Sequence, residues 1–270
     1  MSAFAALAGA GRPILVAGEE GGCGATTVAA LLAETCAAAR VGGVLAVDQS
    51  RLPCSGGLGL RLLGEPVDFP APSLATAVHN GQAPPMSPAG AVVVTDVQGY
   101  TPLARLLSEV PGQVAVTVTD FGHVDLAVAA QLAETPYRPV LVGRADVAGA
   151  QAVCAALVFL RVRPVVVLSS TAHSNRRRVR AALTLVRSAG VQALVHLPFD
   201  AALASGMAVH LDQIGRTTIR ACLQLAARVG TPGEVGNHVH LLRNGPPGGP
   251  GPGTAAAARW PGFQQHRPGQ

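Results

Sequence analysis

Short β-branched runs alternate along the chain with alanine- and leucine-rich stretches whose apolar residues recur at helical spacing. The runs fall at residues 13–17, 43–48, 91–95, 114–120, 139–142, 164–169 and 191–196. The helical stretches fall at 26–39, 102–109, 125–133, 146–160, 175–189, 200–206 and 213–229. Strands of about 4 to 8 residues separated by helices of about 10 to 15 predict right-handed crossovers. The fold class is therefore α/β, a single domain on a mostly parallel, twisted sheet with helices on both faces. Ligands of such sheets lie beyond the carboxyl ends of the strands, which points to the loops after Ala17, Asp48, Asp120 and Ser169. The domain is expected to span 13–230, after a short amino-terminal segment 1–12. The tail, 231–270, carries a Gly/Pro run at 244–253 that buries too little apolar surface to offset ordering entropy, so it is expected to be disordered.

Composition narrows this further. With 270 residues, 49% hydrophobic and 13% charged, the chain has ample material for a core, and wholesale disorder is excluded. Its longest apolar runs fall well short of the roughly 20 residues of a membrane-spanning helix. No basic region precedes the alanine-rich start, Met1 to Ala10, so a secretory signal is not predicted and a cytoplasmic location is. The five cysteines are odd in number and form no CxxC pair, which predicts neither a disulfide framework nor a zinc site. All 20 residues counted as Lys+Arg are arginine, so every lysine-dependent mechanism is excluded. The net charge of +5 is too small to name a partner.

The candidate chemistry lies in the loop after the first strand. Ile14-Leu-Val-Ala-Gly-Glu-Glu-Gly-Gly-Cys-Gly-Ala-Thr-Thr27 sets a glycine-rich turn between a buried strand and a helix, where backbone N–H groups and the helix dipole favour an anion. The plain P-loop pattern ends Gly-Lys-Ser/Thr, and Gly24-Ala25-Thr26 has alanine at the lysine position. The same turn also reads as a bare strand-to-helix connection.

At these residues the chain resembles the ParA/MinD family of P-loop ATPases, whose deviant Walker A motif reads Lys-Gly-Gly-x-Gly-Lys-Ser/Thr-Thr. Residues Glu20 to Thr27 match it except at both lysines. The form Gly-Gly-x-Gly-Ala-Ser/Thr-Thr is most similar to the atypical TadZ/CpaE branch of tight-adherence pilus systems. The resemblance runs from Pro13 to Val229, through Val47-Asp48, the Walker B-like Val116-Thr-Val-Thr-Asp120 and His196-Leu-Pro-Phe-Asp200. It implies a P-loop NTPase-like fold that binds ATP and Mg²⁺. The phosphates would lie on Gly21, Gly22, Cys23, Gly24, Ala25, Thr26 and Thr27, with Pro198 and Phe199 near the base and Thr26 and Asp120 at the metal. No catalytic residue carries over: serine, Ser50, stands where the family has its hydrolytic aspartate, and Glu20 and Ala25 replace the lysines. Weak nucleotide binding with little or no hydrolysis follows.

The implied role is a pseudo-ATPase module that positions or assembles a pilus or secretion complex, acting as a homodimer and recruited to the inner face of the membrane or the cell pole. The alternative within the family is a slow ParA-type ATPase for DNA partition or cell-division placement. Arg176, Arg177, Arg178 and Arg180, at the start of a helix, are the candidates for non-specific DNA contact, against a plain solvated helix face. His123 is a candidate for the mouth of the site. A dinucleotide-binding oxidoreductase is the alternative of another class, because Asp48 closes the second strand as a ribose-binding acid would, although the Gly-x-Gly-x-x-Gly spacing is missing.

Overall fold

A computed structural model describes residues 13–39, 43–50, 57–96, 114–123, 138–160 and 163–229. The predicted helices at 102–109 and 125–133, the segment 1–12 and the tail 231–270 lie outside the described residues.

Seven strands form one sheet: β1 (Ile14–Gly18), β2 (Gly43–Asp48), β3 (Ala91–Thr95), β4 (Val114–His123), β5 (Arg138–Arg144), β6 (Val165–Ser169) and β7 (Leu194–Leu197). Their order is β3-β2-β4-β1-β5-β6-β7, and every neighbouring pair is parallel. Helices α1 (Ala25–Ala38), α2 (Gly57–Leu63), α3 (Ser73–His79), α4 (Val147–Phe159), α5 (Arg176–Ser188), α6 (Ala201–Ala204) and α7 (Arg216–Val229) accompany it. Among the described residues no helix is long and apolar enough to cross a membrane.

The two-residue period of the strands sorts the core. Ile14, Val16, Val44, Ala46, Val140 and Val142 meet α1, α2 and α7. Their alternates Leu45, Val47, Val92 and Val94 meet α3, while Leu141, Val166 and Leu168 meet α4 and α5 on the same opposite face. Both faces are thus covered, as a fully parallel sheet requires. Helix α1 is apolar almost throughout and buried on nearly every side, including Glu34 at 1% exposure.

Several predicted boundaries move: β4 runs on to His123, β5 spans Arg138–Arg144 and α6 ends at Ala204. The last strand begins at Leu194 rather than at 191, because pairing with β6 is entered through the Ala193 carbonyl, which accepts from Val166 N at 2.8 Å. The last helix begins at Arg216 rather than at 213. Helices α2 and α3 were not predicted from the pattern. Both are seven residues long, and α2 opens on Gly57-Leu-Gly59, a composition that reads as loop.

Candidate functional site

Strand β1 lies in the middle of the sheet, and the chain must reverse sharply at its end to enter α1. A Cβ on Gly18 would stand 2.5 Å from Cys23 Sγ and 3.2 Å from the Glu20 carbonyl oxygen, so only glycine allows the loop to close on the strand. Gly24 takes φ 93° at the N-cap of α1, and a Cβ there would meet Ser169 Oγ at 3.1 Å. No side chain caps this helix, so its first N–H groups are presented by the bare loop. Cys23 is buried beneath it with its thiol pushed up to about 11 by burial, which makes it a packing residue.

Asp120 sits below Thr26. Its Oδ1 accepts from Gly122 N at 2.9 Å, while Oδ2 is buried with no hydrogen-bond partner among the described residues. Burial raises its pKa to about 6, against the Gly122 N–H and the Thr26 hydroxyl, which favour the charged form, and with nearby Asp48 raising it further. A buried carboxylate oxygen without a donor is costly, and Thr26 beside it supplies a second oxygen.

Both carboxylate oxygens of Asp48 are occupied by local donors. Its Oδ1 accepts from Ser50 N at 2.9 Å and Ser50 Oγ at 2.6 Å, and its Oδ2 accepts from Leu58 N at 2.7 Å. It therefore ties the loop after β2 to the start of α2. With both oxygens used, it is not the free acid that a ribose would need, which removes the main support for the oxidoreductase reading.

Glu20, which stands at a lysine position of the motif, and its neighbour Glu19 are compensated in different ways. Glu20 forms an ion pair with Arg144 at the end of β5, and Asp146 lies 3.7 Å from the same guanidinium Nε. Glu19 donates its backbone N–H to Val142 O at 3.0 Å, and its carboxyl is pushed up to about 7, first by burial and then by Glu20.

These groups border a cavity of about 710 Å³. The loop 20–27, Ser50 and residues 121–123 line it, so His123 does reach the site. The rest of the lining is Ser169, Ser170 and Thr171 from the end of β6, which lie against Gly24, then Leu197, Pro198, Phe199 and Asp200 from the end of β7, and Leu203 and Ala204 of α6. Ser170 Oγ and His196 Nε2 are 3.1 Å apart, and burial lowers the histidine pKa. The Phe199 ring packs on His173 with centroids 4.1 Å apart. Burial raises the Asp200 pKa, but donors at Gly215 N (2.8 Å), Thr218 Oγ1 (2.8 Å) and Ala202 N (3.1 Å) outweigh it and leave the carboxyl below its usual range. The cavity therefore combines the N–H groups of the glycine loop with apolar and aromatic side chains, a lining suited to an anion carrying a flat ring.

Gly21, Gly22, Cys23, Gly24, Ala25, Thr26, Thr27, Pro198 and Phe199 all line this cavity, and Asp120 lies under its floor at Thr26. Arg176, Arg177, Arg178 and Arg180 are exposed on α5 and are not part of it. Arg61 of α2 lines the cavity without having been singled out by any motif.

Solved structures share the fold. A ParA family ATPase from Chlorobium tepidum superposes with a TM-score of 0.54 at 18% identity, covering 85% of this chain and 99% of that one. The cell division ATPase MinD of Pyrococcus furiosus gives 0.55 at 19%, covering 86% and 99%. The chain has the fold of the ParA and MinD ATPases. The ATP complex of Cyanothece McdA(D38A) gives 0.54 at 13%, covering 82% and 96%. No family model matches the chain, and no curated protein matches it.

Proposed function

We propose that the protein is a MinD/ParA-like nucleotide-binding module with little or no ATPase activity, which positions or assembles a larger complex. The observation that carries the reading is Asp120, a buried carboxyl that the Thr26 hydroxyl approaches and whose Oδ2 has no hydrogen-bond partner among the described residues, at the foot of a glycine loop whose helix has no side-chain cap. A hydrated Mg²⁺ would satisfy it, since that ion is commonly held by one or two protein oxygens and by phosphates. Loop N–H groups from Gly21 to Thr27 would take the phosphates, and Pro198 and Phe199 would flank the base. When bound, the Mg²⁺-nucleotide supplies a charge-neutralised triphosphate. Hydrolysis needs a group that orients water, and Ser50 is a hydroxyl whose own proton goes to Asp48.

The TadZ/CpaE-like motif and the ATP complex of the McdA neighbour support this reading. We assign the partner class as a pilus or secretion machine, the working form as a homodimer and the place as the cytoplasm, at the inner membrane face or cell pole. The reading is tested by phosphate release from ATP with Mg²⁺: turnover no greater than that of Thr26→Ala is expected, and turnover clearly above it overturns the pseudo-ATPase assignment.

A second reading, a slow ParA-type ATPase on DNA, draws on Arg176, Arg177, Arg178 and Arg180. All four are exposed, and among the described residues they make no ion pair.

A further inference from the structure

The chain has no lysine, and the glycine loop carries glutamate and alanine where cations would meet an anion. Among the described residues that line the cavity, Arg61 is the one arginine. It is half-buried and has no carboxylate partner among the described residues: Nη1 donates to the Leu203 carbonyl at 2.9 Å and to the Met207 carbonyl at 3.4 Å. Its backbone carbonyl accepts from Val209 N at 2.7 Å, which fixes the root of the side chain. Nε and Nη2 make no hydrogen bond among the described residues.

Burial lowers the pKa of this guanidinium, with no opposing acid. A charge withdrawn from water without a counter-ion is unfavourable unless an anion joins it. The acids of the same cavity do not serve, since Glu20 is paired with Arg144 and Asp200 is held by donors at Ala202, Gly215 and Thr218. The free edge of a guanidinium is a planar fork that matches the oxygens of a phosphate.

We infer that Arg61 is the cation of the anion site, contributed from α2 instead of from the glycine loop, and that it contacts the phosphate chain of the bound nucleotide. The inference rests on the nucleotide reading above. The carbonyl pair at Leu203 and Met207 acts as a rest that holds the guanidinium at the cavity wall before ligand arrives.

Two measurements on the full chain test it. In calorimetry with Mg²⁺, Arg61→Gln is expected to weaken ATP and inorganic tripolyphosphate by at least about tenfold, as loss of a charged hydrogen bond implies, with adenosine unchanged and Arg61→Lys, which keeps the charge but loses the fork, between Arg61→Gln and wild type. In wild-type protein, Mg²⁺-tripolyphosphate is expected to protect Arg61 from phenylglyoxal, read by mass spectrometry, and to leave Arg176 to Arg178 modified, so the test stands even where Arg61→Gln does not fold. Wild-type binding with equal affinity in Arg61→Gln, or labelling of Arg61 undiminished by tripolyphosphate, overturns the role of Arg61 alone. Absence of any ATP or tripolyphosphate binding by folded wild-type protein overturns the nucleotide reading and this inference with it.

Discussion

Glu20 and Arg144 form an ion pair at the edge of the cavity, joining the glycine loop to the end of β5 across 124 positions of sequence. The pair explains how an acid is tolerated where the loop resembles a lysine-bearing motif: its charge is directed to a partner rather than left facing the anion site. Two unit charges about 4 Å apart interact by about 4 kcal/mol at an effective dielectric near 20, so an unpaired Glu20 would oppose a phosphate strongly.

Arg144→Gln should therefore weaken Mg²⁺-ATP binding severalfold without altering adenosine binding. Both side chains are more than a third exposed, so the effect on stability should be within about 1 kcal/mol. Parallel calorimetry and thermal melting check this, and an unchanged ATP affinity contradicts it.

Asp120→Asn is expected to abolish the Mg²⁺ dependence of nucleotide binding, because the orphan oxygen is replaced or neutralised. It should leave the apo-protein as stable or more stable at pH 7, since it removes a buried charge. Melting curves with and without Mg²⁺-ATP read both effects: a Mg²⁺-ATP stabilisation equal to that of wild type would remove Asp120 from the metal site.

Glu34 provides a pH test away from the site. Burial in α1 raises its pKa to about 7 from 4.5, against hydrogen bonds from Ser87 and the Ala89 backbone. Below pH 4.5 the carboxyl is protonated both folded and unfolded and contributes nothing to pH dependence. Between 4.5 and 7 only the unfolded chain loses the proton, so stability falls as pH rises through this window and levels off above it. A shift of this size corresponds to about 3 kcal/mol. Glu34→Gln should accordingly be more stable than wild type at pH 8 and match it at pH 4.5; equal stability at pH 8 contradicts the buried acid.

The alternation of β-branched and alanine-rich runs made the parallel sheet legible, because strand and helix periods differ and both faces had to be apolar. The glycine loop was legible for a similar reason: Gly18, Gly22 and Gly24 stand where backbone geometry admits little else. What the residues did not reveal is pairing over distance. Nothing near Glu20 points to Arg144, and Arg61 acquires its character only by being half-buried without an acid, a property of the folded chain. Asp48 was readable as a strand-ending acid, yet its occupation by Ser50 and Leu58 depends on how α2 docks.

The arginines at the start of α5 meet the unfavourable positive end of the helix dipole, with Asn175 as the cap. Replacing Arg176, Arg177, Arg178 and Arg180 by glutamine should raise stability by a few tenths of a kcal/mol at most and reduce the salt dependence of DNA retention. A log–log slope unchanged within error would return these residues to a solvated face.

The most direct test of the account is a calorimetric titration of ATP into the purified chain with and without Mg²⁺, beside Thr26→Ala. Weak, Mg²⁺-dependent binding that Thr26→Ala abolishes is predicted. Binding that ignores Mg²⁺ and survives Thr26→Ala, or no binding by folded wild-type protein, would contradict it and leave the loop as a turn.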